Sequence, residues 1–349
     1  MSDELLVNLA AATALVALMA YAVFGGADFG GGVWDLLASG PRKRQQRDAI
    51  AHAMGPVWEA NHVWLILLLV VLFTCFPYGY GPLAIALFVP FHLALLGIML
   101  RGASFVFRNY SRKAKTSQTD AGEPLANLWG TVFGVASMIS PLLLGMAFGV
   151  LTQGEVRIDK DGSVHHETTL PWLSFYSIGC GLLALSTCAY LAAVFLTVET
   201  DGDLREDFRR RAILAGTTTA LLAGAVFAST YFEARWFFGQ LTSPRCLPVL
   251  LVGLFFFAAS AWAVYGRKYW LSRVFAAGEI VVLLLGWGLA QLPYLVYPDM
   301  TLMDAAAPRA TIAFMLATLP FGALILGPSL WLLMKVFKSQ RGNERHEQN

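Results

Sequence analysis

One short stretch of the sequence combines a carboxylate and an imidazole at a spacing that could transfer protons. It runs from Gly55 to Trp64 and reads Gly-Pro-Val-Trp-Glu-Ala-Asn-His-Val-Trp. On a helix, Glu59 and His62 share one face, whereas Asn61 and Trp64 share another. Just inside a membrane, partial desolvation favours the neutral form of both titratable groups, so a proton could pass between them. A structural role is the alternative, with Glu59 at the positive helix N-terminus and His62 packed as a polar residue.

Two further charged positions are predicted at the depth of Glu59. Asp28 lies in the glycine-rich segment Gly25 to Gly32, where glycines permit close backbone approach and unusual dihedral angles. One stripe of a later helix, spaced i, i+3, i+4, i+7, is formed by Arg101, Ser104, Phe105 and Arg108. Asp28, Glu59 and Arg101 would either form an ionic cluster that poises Glu59 for proton transfer or neutralise one another for stability.

Histidines and cysteines do not predict a haem or metal site in this chain. His62 and His92 could ligate one iron from neighbouring helices, but their predicted depths differ by roughly 8 Å at 1.5 Å per residue. The four cysteines show no CxxC or histidine-spaced pattern. We therefore expect no haem ligand and no metal ligand here.

A second group of polar and aromatic residues lies toward the end of the eighth apolar run. Glu279 is a carboxylate in the inner half of this run, and Trp287, Gln291 and Tyr294 follow it. A quinone or lipid headgroup could contact Trp287, Gln291 and Tyr294. Interfacial anchoring explains the aromatic residues equally well.

The composition places all these residues in a membrane protein. Of the 349 residues, 57% are hydrophobic and 14% are charged, against roughly 25% charged in soluble domains. Nine mostly apolar runs are long enough to cross a bilayer as helices. They cover approximately 5–26, 57–76, 82–107, 128–152, 171–198, 212–232, 247–266, 274–297 and 310–337. A net charge of +2 without a basic, aromatic-interleaved patch argues against nucleic-acid binding.

The predicted fold is an all-α polytopic membrane domain with about nine transmembrane helices, arranged as two four-helix bundles plus one peripheral helix. It occupies residues 1–340, and residues 341–349 form a cytoplasmic tail. Lys and Arg collect in alternate connections and in the tail, which predicts an N-terminus outside and a C-terminus inside a bacterial cytoplasmic membrane. A small β-hairpin is expected from Val156 to Val164, where Asp-Gly interrupts alternating residues.

Several motifs resemble subunit II of cytochrome bd-type quinol oxidases, including its cyanide-insensitive relatives. The resemblance lies in Gly26-Ala27-Asp28-Phe29-Gly30, in Trp58-Glu59-Ala60-Asn61-His62-Val63-Trp64, in the segment Arg101 to Arg108, and in the segment Gly145 to Gly154. It extends over most of the chain, and the motif of the second span is the most specific part. This sequence has Glu59 where many relatives have Asp, and it has Val106 where they have an acidic residue.

The resemblance implies an accessory subunit of a quinol:oxygen oxidoreductase that reduces O2 to water. The partner, subunit I, would carry haem b and haem d, and this chain would carry no haem. Glu59, Asp28 and His62 would contribute to a cytoplasmic proton path, supported by Trp58, Asn61, Trp64, Arg101 and Arg108. A structural quinone, lipids and small single-helix subunits are further expected partners. The alternative is a secondary transporter with a charged site inside the membrane.

Overall fold

The computed structural model describes residues 2–54, 58–114, 122–159, 163–166 and 170–347. The side chains of Trp58 and Glu59 lie outside this description, although the backbone of both residues belongs to a helix.

Helices dominate the described chain. In chain order they are α1 Asp3–Leu36, α2 Lys43–Met54, α3 Trp58–Cys75, α4 Pro77–Ala86, α5 Phe88–Ala114, α6 Gly122–Gln153, α7 Phe175–Glu199, α8 Gly202–Glu233, α9 Arg235–Leu241, α10 Leu247–Tyr265, α11 Tyr269–Gln291 and α12 Arg309–Glu347. The strands are β1 Val156–Ile158, β2 Val164–His166, β3 Tyr294–Val296 and β4 Met300–Thr301, in two antiparallel hairpins. The pairing of β1 with β2 confirms the hairpin predicted from the sequence.

Eight helices of the described chain are long and apolar enough to cross a membrane, and a ninth span results if α3 and α4 are counted together. These two helices are bent by 118° at Phe76. Pro77 starts α4 because a proline tolerates the first turn of a helix but cannot continue the hydrogen-bond pattern of α3. The predicted helical membrane fold is therefore confirmed, while the expected span 82–107 is divided between the end of α4 and α5.

Two other helices end away from their predicted positions. The first helix continues ten residues past Gly26, so the glycine-rich segment is helical. A Cβ atom at Gly30 would collide with the carbonyl oxygen of Cys188 on α7, which means that glycine permits close helix packing here. Near the other end of the chain, α11 stops at Gln291, six residues before the predicted end. Pro293 disfavours helical geometry at the residue before it, and β3 follows.

Contacts between connections define two ends of the molecule. At the basic end, the Arg42 guanidinium donates hydrogen bonds to both carboxylate oxygens of Asp207 at the start of α8, at 2.6 and 2.8 Å. At the hairpin end, the Nε and Nη2 atoms of Arg157 on β1 donate hydrogen bonds to the two carboxylate oxygens of Asp299. Asp299 lies between β3 and β4. These two sides are called the basic end and the hairpin end.

Helix α1 joins the two halves of the chain. It contacts α3 and α6 from the first half and α7 and α11 from the second. The largest apolar core cluster, which includes Trp34, Leu191 and Ile280, combines side chains of α1, α2, α7, α8, α10 and α11. The division into two four-helix bundles plus a peripheral helix remains a prediction.

Candidate functional site

A buried ion pair joins α1 to α5. The carboxylate oxygens of Asp28 lie 2.6 and 2.7 Å from the two terminal nitrogens of Arg101. Arg101 also donates to the backbone oxygen of Asp28 at 3.1 Å and to the Ser137 hydroxyl of α6 at 2.9 Å. Asp28 is 3% exposed and Arg101 is 1% exposed. The predicted proximity of these two residues is therefore present, and the geometry holds both charges in fixed positions.

A second buried pair lies nearer the basic end. Arg108 of α5 donates two hydrogen bonds to the carboxylate of Asp35, at 2.8 and 3.0 Å. Arg47 of α2 approaches the same carboxylate at 4.0 Å and donates to the Asp35 backbone oxygen at 3.1 Å. Asp35 is thus bound by two cations from different helices.

The two pairs repeat at the same interval on both helices. Asp28 and Asp35 are seven residues apart on α1, and Arg101 and Arg108 are seven residues apart on α5. Seven residues make about two helical turns, or roughly 10 Å, so equal intervals bring both pairs into register. We call these four residues the charge ladder. Asp35 was missed in the sequence interpretation, and the matching interval of seven was the signal that could have revealed it.

Helix α3 begins beside the charge ladder. The Asn61 amide nitrogen donates to the Phe24 backbone oxygen of α1 at 3.2 Å, and Asn61 is buried. Trp64 packs against a small cluster that includes Tyr21 and Phe29 of α1. His62 is half-buried. These contacts fix the first described turns of α3 against α1.

The two histidines considered as haem ligands have different surroundings. His62 is half-buried at the start of α3, whereas the His92 ring is exposed and lies over the Phe88 ring at a centroid distance of 3.9 Å. Nδ1 of His92 donates to the Phe88 backbone oxygen at 2.7 Å. Within the residues that the structure describes, no group of three potential metal-ligating side chains occurs.

The predicted quinone or lipid contact residues lie toward the hairpin end of α11. Gln291 is 5% exposed, and within the described chain neither amide atom has a hydrogen-bond partner. The buried indole nitrogen of Trp287 also lacks a partner there, while its ring contacts Phe148 edge-on at 4.8 Å. Tyr294 instead belongs to an aromatic cluster with Trp236 and Tyr297. Trp287 and Gln291 therefore retain unused polar groups, and Tyr294 is packed against other rings.

The fold and the charge ladder define a polytopic helical membrane protein with buried ion pairs near one end. A profile of the family described as cytochrome bd terminal oxidase subunit II matches residues 6–337. The chain belongs to this family, and it is therefore an integral inner-membrane subunit of a respiratory quinol oxidase, an oxidoreductase complex. This membership favours the oxidase over the secondary transporter considered from the sequence.

Individual relatives agree with this family. The chain is 24% identical to a Bacillus subtilis (strain 168) protein provisionally named cytochrome bd menaquinol oxidase subunit II, over 94% of both chains. It is 31% identical to cytochrome bd ubiquinol oxidase subunit 2 of the same organism, over 61% of this chain and 60% of the relative. The solved bd oxidase structure from Geobacillus thermodenitrificans superposes with a TM-score of 0.79 at 21% identity, covering 95% of this chain and 98% of that one. The latter similarity shows a shared fold.

Proposed function

We propose that this chain is the accessory, non-haem-bearing subunit that supports a haem-bearing subunit I and contributes to a proton path from the cytoplasm. The observation that supports the proposal most strongly is the position of α3, whose first turns contact α1 beside the charge ladder. Haem b and haem d would reside in subunit I. In the complete complex the haems would carry electrons from quinol to O2, while this chain would supply positions for protons.

Asp28 and Glu59 would have different roles in the proton path. The two oxygens of Asp28 lie 2.6 and 2.7 Å from nitrogens of Arg101, so Asp28 would serve as a fixed charge paired with Arg101. Glu59 and His62 lie three residues apart near the start of α3, and Glu59 would exchange protons with His62 or with water. In this assignment the charges of Asp28 and Arg101 set the electrostatic field around the proton path. Glu59 and His62 transfer the proton. Trp58, Asn61, Trp64 and Arg108 would support these positions.

The basic end would face the cytoplasm. Arg42, Arg47, Arg209 and Arg273 are all placed at this end by contacts between helices and connections. Short loops rich in Lys and Arg are retained on the cytoplasmic side of bacterial membranes. This orientation would place the N-terminus outside and would let protons enter beside α3. Small single-helix subunits and lipids would complete the assembly.

A structural quinone would find suitable groups near Trp287 and Gln291. The Gln291 amide can donate and accept hydrogen bonds, and the Trp287 indole can donate. Buried polar groups normally have partners, so these unused groups favour a polar ligand or water at this place. When bound, a quinone would supply carbonyl acceptors, and this chain would hold it without transferring electrons itself.

The Glu59→Gln variant in the assembled oxidase tests the proton-path proposal. Because glutamine cannot exchange a proton as a carboxylate does, we expect oxygen reduction to slow by roughly tenfold or more while the haem absorption spectrum is retained. Glu4→Gln is a matched control, since Glu4 is an exposed carboxylate at the hairpin end of α1. Unchanged turnover in Glu59→Gln would contradict the proton path, and loss of haem absorption would indicate a role in assembly instead.

A further inference from the structure

A third buried carboxylate lies deep inside the second half of the molecule. Glu279 is ten residues after the start of α11 at Tyr269, which corresponds to roughly 15 Å along the helix. The hydrocarbon core of a bilayer is about 30 Å thick, so Glu279 lies near its middle. The residue is 9% exposed, and the buried positions Ala276 and Ile280 flank it on α11.

Glu279 differs from the other buried carboxylates in having no cationic partner within the described chain. Its Oε2 atom is shielded from solvent and has no hydrogen-bond partner there. The nearest arginine along α11, Arg273, lies more than one turn away and pairs with Glu199 of α7 at 3.2 Å. An ionised carboxylate without a cation is strongly disfavoured in this environment, whereas a protonated carboxyl is not.

The helices packed against α11 offer Glu279 no compensating charge. Their charged and titratable side chains are Asp3, Glu4, Tyr21, Asp28 and Asp35 on α1, Tyr176, Cys180, Cys188, Tyr190 and Glu199 on α7, Arg235 on α9 and Tyr265 on α10. Asp28 and Asp35 are bound by arginines of the charge ladder. Among the described residues, these helices therefore supply no cation that pairs with Glu279.

Buried hydroxyl groups of α7, α10 and α11 lie in the same half of the molecule as Glu279. The Tyr190 hydroxyl lies 2.6 Å from the Ser260 hydroxyl of α10, which donates to the Ser272 backbone oxygen of α11 at 3.3 Å. Ser272 donates in turn to the Tyr269 backbone oxygen at 2.7 Å, in the first turn of α11. Ser260 and Ser272 are fully buried, and Tyr190 is buried. Both serine hydroxyls therefore donate to peptide oxygens, which fix α10 against α11 and carry no proton onward.

From this burial without a cation we propose that Glu279 is a second proton-binding site of the subunit, occupied by a proton at neutral pH. Proton binding converts the carboxylate to a carboxylic acid and changes no other bond. The site is separate from the proposed path at Glu59, because it lies in the contact of α7, α10 and α11 and not beside the charge ladder.

Infrared difference spectroscopy of the assembled oxidase tests this proposal without relying on turnover. We expect the wild-type complex at neutral pH to show a carboxylic-acid C=O band that shifts in heavy water and is absent from Glu279→Gln. Glu59→Gln is the control and should retain the band, so that a failure of the Glu59 path and a failure of this site are distinguishable. Identical spectra of the wild type and Glu279→Gln would overturn the proposal.

Glu279→Asp provides a second test if Glu279→Gln fails to assemble. The shorter side chain should retain a carboxylic-acid band but change its frequency, because the carboxyl group moves by one methylene within the buried environment. A band of unaltered frequency would contradict its assignment to Glu279. A wild-type spectrum with a carboxylate signal at this position that depends on added Na⁺ would identify a metal-cation site and would also overturn the proposal.

Discussion

The two halves of the protein bury acidic residues in opposite ways. Where α1 meets α5, Asp28 and Asp35 are each held by an arginine, in hydrogen bonds of 2.7 to 3.0 Å. Where α7, α10 and α11 meet, Glu279 is buried without a cation within the described chain, and its Oε2 atom has no hydrogen-bond partner there. A paired carboxylate remains ionised and fixed, whereas an isolated carboxylate in an apolar environment is neutral and can exchange its proton. Similar burial therefore supports different chemistry.

The largest expected effect comes from breaking the deeper pair. Arg101→Met keeps an apolar chain of similar length but leaves the Asp28 carboxylate buried without its cation. We expect a loss of about 3–5 kcal/mol of stability, because removal of one partner leaves an uncompensated charge. Thermal denaturation of the purified complex would measure this loss.

The double variant Asp28→Asn with Arg101→Met is the matched control for the deeper pair. It removes both charges together, so a substantial part of the lost stability should return. If the double variant is no more stable than Arg101→Met, the pair is not the origin of the effect. That result would mean that ion pairing of buried carboxylates does not distinguish the first half of the protein from the second.

The second pair of the charge ladder should respond less strongly. Arg108→Met removes the bidentate partner of Asp35, but Arg47 remains 4.0 Å from the carboxylate and is bonded to the Asp35 backbone oxygen. We expect a loss of about 1–3 kcal/mol, in the range for an imperfectly satisfied buried polar group. Chemical denaturation of the complex would measure it. A loss equal to that of Arg101→Met would mean that Arg47 does not compensate Asp35.

An arginine–aspartate pair at the hairpin end allows the buried pairs of the charge ladder to be compared with an ion pair in contact with water. Hydrogen bonds from Arg157 and from the Ile158 backbone hold the pKa of Asp299 below its usual value. Stability from this pair is therefore present above the unfolded pKa of about 3.9 and is lost as the pH falls through the lower folded pKa. Since Arg157 is exposed, Asp299→Asn should cost only about 0.2–1 kcal/mol at neutral pH and should flatten the acid limb of the stability curve. An unchanged acid limb would mean that the pair contributes nothing.

The sequence predicts the membrane fold and three of the four residues of the charge ladder. Apolar runs longer than the bilayer thickness predict spans directly, and the stripe from Arg101 to Arg108 follows from helical periodicity. Asp35 was missed because the first span was ended at Gly26. Glycine normally weakens helices, and the close contact of Gly30 with α7 that makes it suitable here depends on tertiary packing. The bend between α3 and α4 depends likewise on how Pro77 and its neighbours pack, which hydropathy alone does not describe.

The smallest expected effect is the one that contrasts the two halves most directly. Glu279→Gln replaces a neutral carboxyl by an amide of similar shape, so stability at neutral pH should change by no more than about 1 kcal/mol. Asp28→Asn makes the same change of chemical group, yet it leaves Arg101 buried with an unmatched charge and should be far more destabilising. Parallel thermal denaturation of the two variants measures the difference. Equal losses would show that Glu279 is ionised like Asp28, because only a charged carboxylate with an unseen cation would make its amide replacement as costly.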